Sequence, residues 1–152
     1  MKDRRKQRLE LLYRLREMSL EQARAEHVTA QTELEQRRER ADETQRRIAA
    51  LDEWSGERVA QGELLAPELL RQAQLYRGVE QHEFEAQRAA EAQQRELTEA
   101  ARGELGARFE ELSVVERLSV RHAQSATREE FRRAFVELDE AGAQRMNREA
   151  KE

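Results

Sequence analysis

The sequence predicts an all-α fold, a long two-helix antiparallel coiled-coil hairpin with an overhanging C-terminal helix. Three observations carry this. Charged residues make up 39% of the 152-residue chain and aromatics only 5%. That composition cannot build a thick core but suffices for a narrow seam between helices. Apolar residues recur with a 3.5-residue repeat over long stretches. One proline, Pro67, and two glycines upstream of it, Gly56 and Gly62, supply a turn signal between those stretches. A polar, charged chain also suits disorder. Mixed charge with a net of only −4, the near absence of proline and the helical spacing argue against it.

The first helix is expected over about 5–53. One seam position falls on Tyr13, Leu20, His27, Leu34, Ala41 and Ile48, the other on Leu9, Arg16, Ala23, Ala30, Arg37, Thr44 and Leu51. The stretch "WSGERVAQGELLA" interrupts the frame, so the turn is placed at about 54–65. Pro67 suits the first turn of a new helix, where its missing N–H costs nothing. Glu68 suits the positive end of the helix dipole. The second helix is therefore expected over about 66–145. Its frame runs through Leu69, Tyr76, Ala90, Leu97 and Leu118, with Val79, Ala86, Ala100, Ala107 and Val114 at the other position.

If Leu51 lies opposite Leu69, Leu34 meets Ala86, Ala23 meets Leu97 and Leu9 meets Glu111. The second helix then overhangs from about Leu118. Gly103 and Gly106, each costing about 1 kcal/mol relative to alanine within a helix, predict a soft point. Thr127 and Glu130 fit either a capping box or the interior of a continuous helix. The whole chain, residues 1–152, is expected to form a single elongated coiled-coil unit.

The motifs of chemistry are missing. There is no cysteine, hence no disulfide and no thiol. His27, His82 and His122 do not meet in this pairing, which disfavours a metal site. Carboxylates alternate with arginines along helical faces, a structural pattern. No glycine-rich phosphate loop and no serine with a base is present. The reading is a non-enzyme with no cofactor. No apolar run approaches the roughly 20 residues that span a bilayer, so a cytoplasmic protein without membrane insertion is expected. Near balance of charge argues against a nucleic-acid partner.

Surface for protein partners remains. The tip carries Ile48, Leu51 and Trp54 before the turn and Leu75, Tyr76 and Val79 after it. These are either interface anchors or a plug for the end of the coiled coil. Phe131, Phe135 and Leu138 form an apolar stripe on the overhang, which calls for a partner or a curled-back N-terminus. Lys2, Arg4, Arg5, Lys6 and Arg8 crowd the start of the first helix, against its dipole.

The stretch "ERLSVRHAQSATREEFRRAFVELDEAGAQR" resembles the C-terminal end of the FliJ family, stalk proteins of the bacterial flagellar export apparatus, and the related YscO-type proteins of injectisomes. The similarity rests on Leu118, Arg121, Glu130, Leu138-Asp139-Glu140 and Gln144-Arg145. "LREMSLEQARAEHVTAQTELE" is similar to that family's alanine-seamed first helix. The resemblance implies a stalk in a type III export system, without enzymatic activity of its own. It would enter and activate a hexameric export ATPase, contact a membrane export-gate protein and handle export chaperones. It would work in the cytoplasm, peripheral to the inner face of the bacterial membrane. Arg121, Leu138, Asp139 and Glu140 then become candidates for the ring, joined by Phe131 and Phe135. Ile48, Leu51, Trp54, Leu75, Tyr76 and Val79 become candidates for the gate. The alternatives are a coiled-coil scaffold or tether, or a chaperone escort with no role in the ring.

Overall fold

The computed structural model describes residues 2–62 and 66–149, with side chains described for 4–62 and 66–146. The described residues form two helices, α1 (Lys2–Ala60) and α2 (Pro67–Glu149). Alanine, leucine, glutamate, glutamine and arginine dominate both, and all are strong helix formers.

α1 ends later than the sequence suggests, at Ala60 rather than residue 53. Gly56 is absorbed into the helix. The stop is Gly62, the single described residue with positive φ, at 69°. The Gln61 N–H donates to the Glu57 carbonyl at 2.9 Å and the Gly62 N–H to the Val59 carbonyl at 3.2 Å. A left-handed glycine closing the last turn is a common helix terminus. Residues 63–65 of the expected turn lie outside the described residues. α2 starts as expected. The Ala66 carbonyl accepts the first bonds, from the N–H groups of Leu69 (2.9 Å) and Leu70 (3.3 Å). Pro67 is the first helical residue and Glu68 lies in the first turn.

α2 runs unbroken through Gly103, Gly106 and Thr127. The Thr127 hydroxyl donates to the Ala123 carbonyl at 3.1 Å, the local bond of a threonine inside a helix, and so forms no capping box. The chain divides into two compact units, Gln22–Gly106 and Met1–Glu21 with Ala107–Glu152.

In the Gln22–Gly106 unit the two helices pack antiparallel across the turn. α1 presents the expected frame: Ala23, Ala41, Thr44 and Ile48 are buried, and His27, Ala30, Leu34, Arg37 and Leu51 half-buried. The α2 frame is corrected. Its seam is Glu80, Phe84, Gln87, Glu91, Gln94, Thr98 and Ala101, one residue C-terminal to the expected set. Leu69, Tyr76, Val79 and Leu97 are exposed instead. Three ion pairs fix the register: Arg38 with Glu91 at 3.3 Å, Arg47 with Glu80 at 3.0 Å and Arg77 with Asp52 at 2.6 Å. Facing residues thus lie about eight positions further along α2 than a Leu51–Leu69 pairing implies. Leu34 does not meet Ala86, nor Ala23 Leu97.

The physical reason lies in what each frame does with its polar groups. The expected frame collects the larger apolar side chains. The observed one gives the buried Thr44, Glu80, Glu91, Gln94 and Thr98 side chains partners, as burial demands, and leaves Gln87 Oε1 the one buried side-chain oxygen or nitrogen among the described residues without a hydrogen bond. Gln94 and Thr98 both donate to the Ala30 carbonyl, at 3.3 and 3.2 Å. The Thr44 hydroxyl donates to the Arg40 carbonyl and accepts from Arg47.

In the other unit Leu20, Leu112 and Val115 are buried, and Leu9, Tyr13, Arg16, Ser119, His122 and Ala126 half-buried. Arg16, not Leu9, meets Glu111, at 2.7 Å. Coverage of α2 extends to Ala126, and every residue from Thr127 to Met146 is exposed. The overhang therefore begins at Thr127 rather than Leu118.

Candidate functional site

Glu91 is the best-connected buried charge. It is 3% exposed and receives Arg38 from α1 and Arg88 and Arg95 from its own helix, at 3.3, 2.6 and 3.1 Å. Burial disfavours the carboxylate, but the Arg38 hydrogen bond and the charges of Arg88 and Arg95 outweigh it, so its pKa lies below the usual carboxylate value. Asp52 is likewise held low, by the Arg77 hydrogen bond above all, against a smaller opposing effect of burial. A carboxylate with a depressed folded pKa contributes stability above its unfolded pKa, and that stability is lost as pH falls through the folded one. Thermal unfolding should accordingly show a melting temperature that drops as pH falls below about 4, the range of unfolded carboxylates. Glu91→Gln should flatten that dependence. These groups hold the helices in register.

At the turn end of the Gln22–Gly106 unit, Leu51, Trp54, Leu69, Gln72, Ala73 and Tyr76 line a shallow apolar groove. The Arg58 guanidinium lies over the Trp54 ring, 5.0 Å from its centroid, a cation–π arrangement. Trp54 and Leu51 are half-buried, while Leu75, Tyr76 and Val79 are exposed. Ile48 is buried in the seam and does not offer its side chain to a partner. The tip residues thus divide: Leu51 and Trp54 belong to both seam and groove, Tyr76 forms the exposed edge of the groove, and Leu75 and Val79 are exposed outside it.

In the other unit, Phe131, Phe135 and Leu138 stand 65%, 66% and 68% exposed. Continued past Ala126, the seam frame of α2 falls on Glu129, Arg133, Val136 and Glu140. Phe131 and Phe135 lie two residues beyond Glu129 and Arg133, a rotation of about 200° on a helix. The stripe therefore faces away from the α1 side of α2. A longer α1 would not cover it. Arg121 and Arg128 precede Phe135 at heptad spacing and share the face of the stripe. Asp139 flanks Leu138, whereas Glu140 lies on the continuation of the seam, apart from the other candidates. Nearby, Arg4, Arg5 and Arg8 of α1 and His122, Ser125, Ala126 and Glu129 of α2 line an open cleft of about 520 Å³. Basic groups thus converge on the side where α1 begins.

Sequence reasoning missed the polar seam residues Glu80, Glu91, Gln94 and Thr98. The signal that finds them is charge matching across the seam. Only one α2 frame sets Glu80 and Glu91 against arginines of α1 and Arg77 against an aspartate. Among the described residues no group of three or more histidines, cysteines and carboxylates could hold a metal ion. No helix among them is long and apolar enough to cross a membrane. No family model, curated protein or solved structure matches the chain.

Proposed function

We propose that this chain is a non-enzymatic stalk of a bacterial type III protein export apparatus, of the kind the FliJ family supplies. It works in the cytoplasm at the inner face of the membrane. One end enters and activates a hexameric export ATPase, and the tip meets the export gate. The observation that supports this most is the exposed stripe of Phe131, Phe135 and Leu138. It lies on an exposed length of α2 whose opposite face is mostly charged, with Glu129, Arg133 and Glu140 around a single valine, Val136. Burying each such side chain is favourable by about 1.5 to 3 kcal/mol, so the stripe can dominate a docking surface once ordering costs are subtracted. Arg121 and Asp139 orient the contact at its rim.

The scaffold reading draws on a different feature, the exposed second apolar frame of α2 in the Gln22–Gly106 unit. Phosphate release by a purified export ATPase, with and without the chain, tests the first reading. Stimulation is expected, and Phe131→Ala with Phe135→Ala should remove most of it. Tyr76→Ala with Val79→Ala should leave stimulation intact while export in cells falls. No stimulation by the intact chain, with several export ATPases tried, would leave the scaffold reading standing.

A further inference from the structure

We infer that the Gln22–Gly106 unit carries a second coiled-coil interface, made for a second copy of this chain. It runs along the exposed face of α2 and centres near Arg88. The inference does not rest on the stalk reading.

The face is the apolar frame one residue away from the seam. Tyr76, Val79, Glu83, Ala86, Ala90, Gln93, Leu97 and Ala100 follow the 3-4 spacing of a coiled-coil stripe. One residue is about 100° of rotation, so the face adjoins the α1 seam along its flank and continues it. Val79 and Leu97 are 65% and 61% exposed. Glu83, Ala86, Gln93 and Ala100 are exposed and Ala90 is half-buried. α1 covers the adjacent stripe and touches this one only along its flank, where Arg47 reaches Glu83.

The order of side chains identifies the occupant. Laid antiparallel on itself about residue 88, the stripe pairs Tyr76 with Ala100, Val79 with Leu97, Glu83 with Gln93 and Ala86 with Ala90. Each large residue meets an apolar one and the bulky Tyr76 meets a small one, the alternation that fills a core. The single carboxylate meets an amide, whose N–H₂ donates to it. Small residues sit at the centre, where backbones approach most closely. The flanks agree. Arg47 flanks the established seam 4.0 Å from Glu83. The equivalent flanking relation, centred one residue further on at 89, sets His82 of one copy beside Glu96 of the other, a donor beside an acceptor, and Ala89 beside itself near the two-fold axis. A surface complementary to itself under two-fold rotation is what an isologous dimer requires.

The chain has no cysteine, so single cysteines report cleanly. Sedimentation equilibrium should give a mass rising with concentration from 17.9 kDa toward twice that value. A short bis-maleimide should link chains bearing Ala89→Cys and not chains bearing Tyr76→Cys. Val79→Arg with Leu97→Arg should weaken dimerisation at least about tenfold while helicity by circular dichroism stays unchanged. If that pair disturbs the fold, Leu97→Gln alone serves the same end. A monomer at the highest soluble concentration overturns the inference. So does a dimer that survives these substitutions with the helices intact. Linking through position 76 as readily as through 89 means a parallel pairing and overturns it too.

Discussion

A chain ending at Ala126 is expected to keep its helix pairs and lose most of its stimulation of an export ATPase. The two halves of that result have separate causes. Every described side chain from Thr127 to Met146 is exposed, so their removal takes no apolar group out of the seam, and it trims only the Glu129 edge of the cleft at Arg4, Arg5 and Arg8. Stability arises from burial, and the melting temperature should hardly move. Stimulation, in the stalk proposal, depends on Phe131, Phe135 and Leu138, which all leave with the deleted segment. Loss of three such contacts at about 1.5 to 3 kcal/mol each is enough to abolish docking. Melting followed by circular dichroism, and phosphate release at saturating ATPase, read the two halves independently. A truncated chain that unfolds would assign the segment to the fold. One that folds and still stimulates would move the contact to the basic cleft of Arg4, Arg5 and Arg8.

Glu91→Lys should be the most damaging single change to stability, and Glu91→Leu should be nearly harmless. Lysine places a fourth positive charge among Arg38, Arg88 and Arg95 in a position only 3% exposed. Breaking a buried ion pair costs about 3 to 5 kcal/mol. The lower end applies here, because the arginines are about half exposed and can turn to water. Leucine leaves no buried charge behind and adds apolar area to the seam, a replacement that is often neutral or stabilising. What leucine removes is the polar layer that favours one alignment, the best-attested use of a buried polar group in a coiled coil. Chemical denaturation should separate the two variants by several kcal/mol. Spin labels across the seam should show a broader distance distribution in Glu91→Leu than in the parent. A destabilised leucine variant would mean that the ion cluster contributes net stability as well as alignment.

The helices, the proline start and the α1 seam were legible because each depends on local spacing or on one residue's backbone preference. Pro67 opens α2 wherever the rest of the chain lies. The end of α1 was misjudged because Gly56 and Gly62 look alike in sequence, and only the backbone tells which one turns left-handed. The α2 seam was misjudged for a deeper reason. Leu97, Val79 and Tyr76 are more apolar than Glu91, Gln94 and Thr98, so apolar periodicity selects the wrong face. The correct face depends on arginines about 30 to 50 residues away in sequence, at Arg47 and Arg38. The same shift hid the true start of the overhang at Thr127. The Phe131 stripe was legible as unpartnered, but its direction was not, since direction follows from the frame.

Two faces of α2 one residue apart also make for a conflicted route to the folded state. During collapse α2 can turn either face toward α1, and the apolar one forms contacts without first orienting any ion pair. The native alignment wins only when Glu80 and Glu91 have found their arginines. Such competition between near-equivalent packings is local frustration. It predicts two refolding phases in dilute chain, the slower being the rotation of mispacked α2. Leu97→Gln, which alters a side chain exposed in the native state, should shrink the slow phase. The residue most favourable to the wrong encounter is then one that the native helix pair leaves in water.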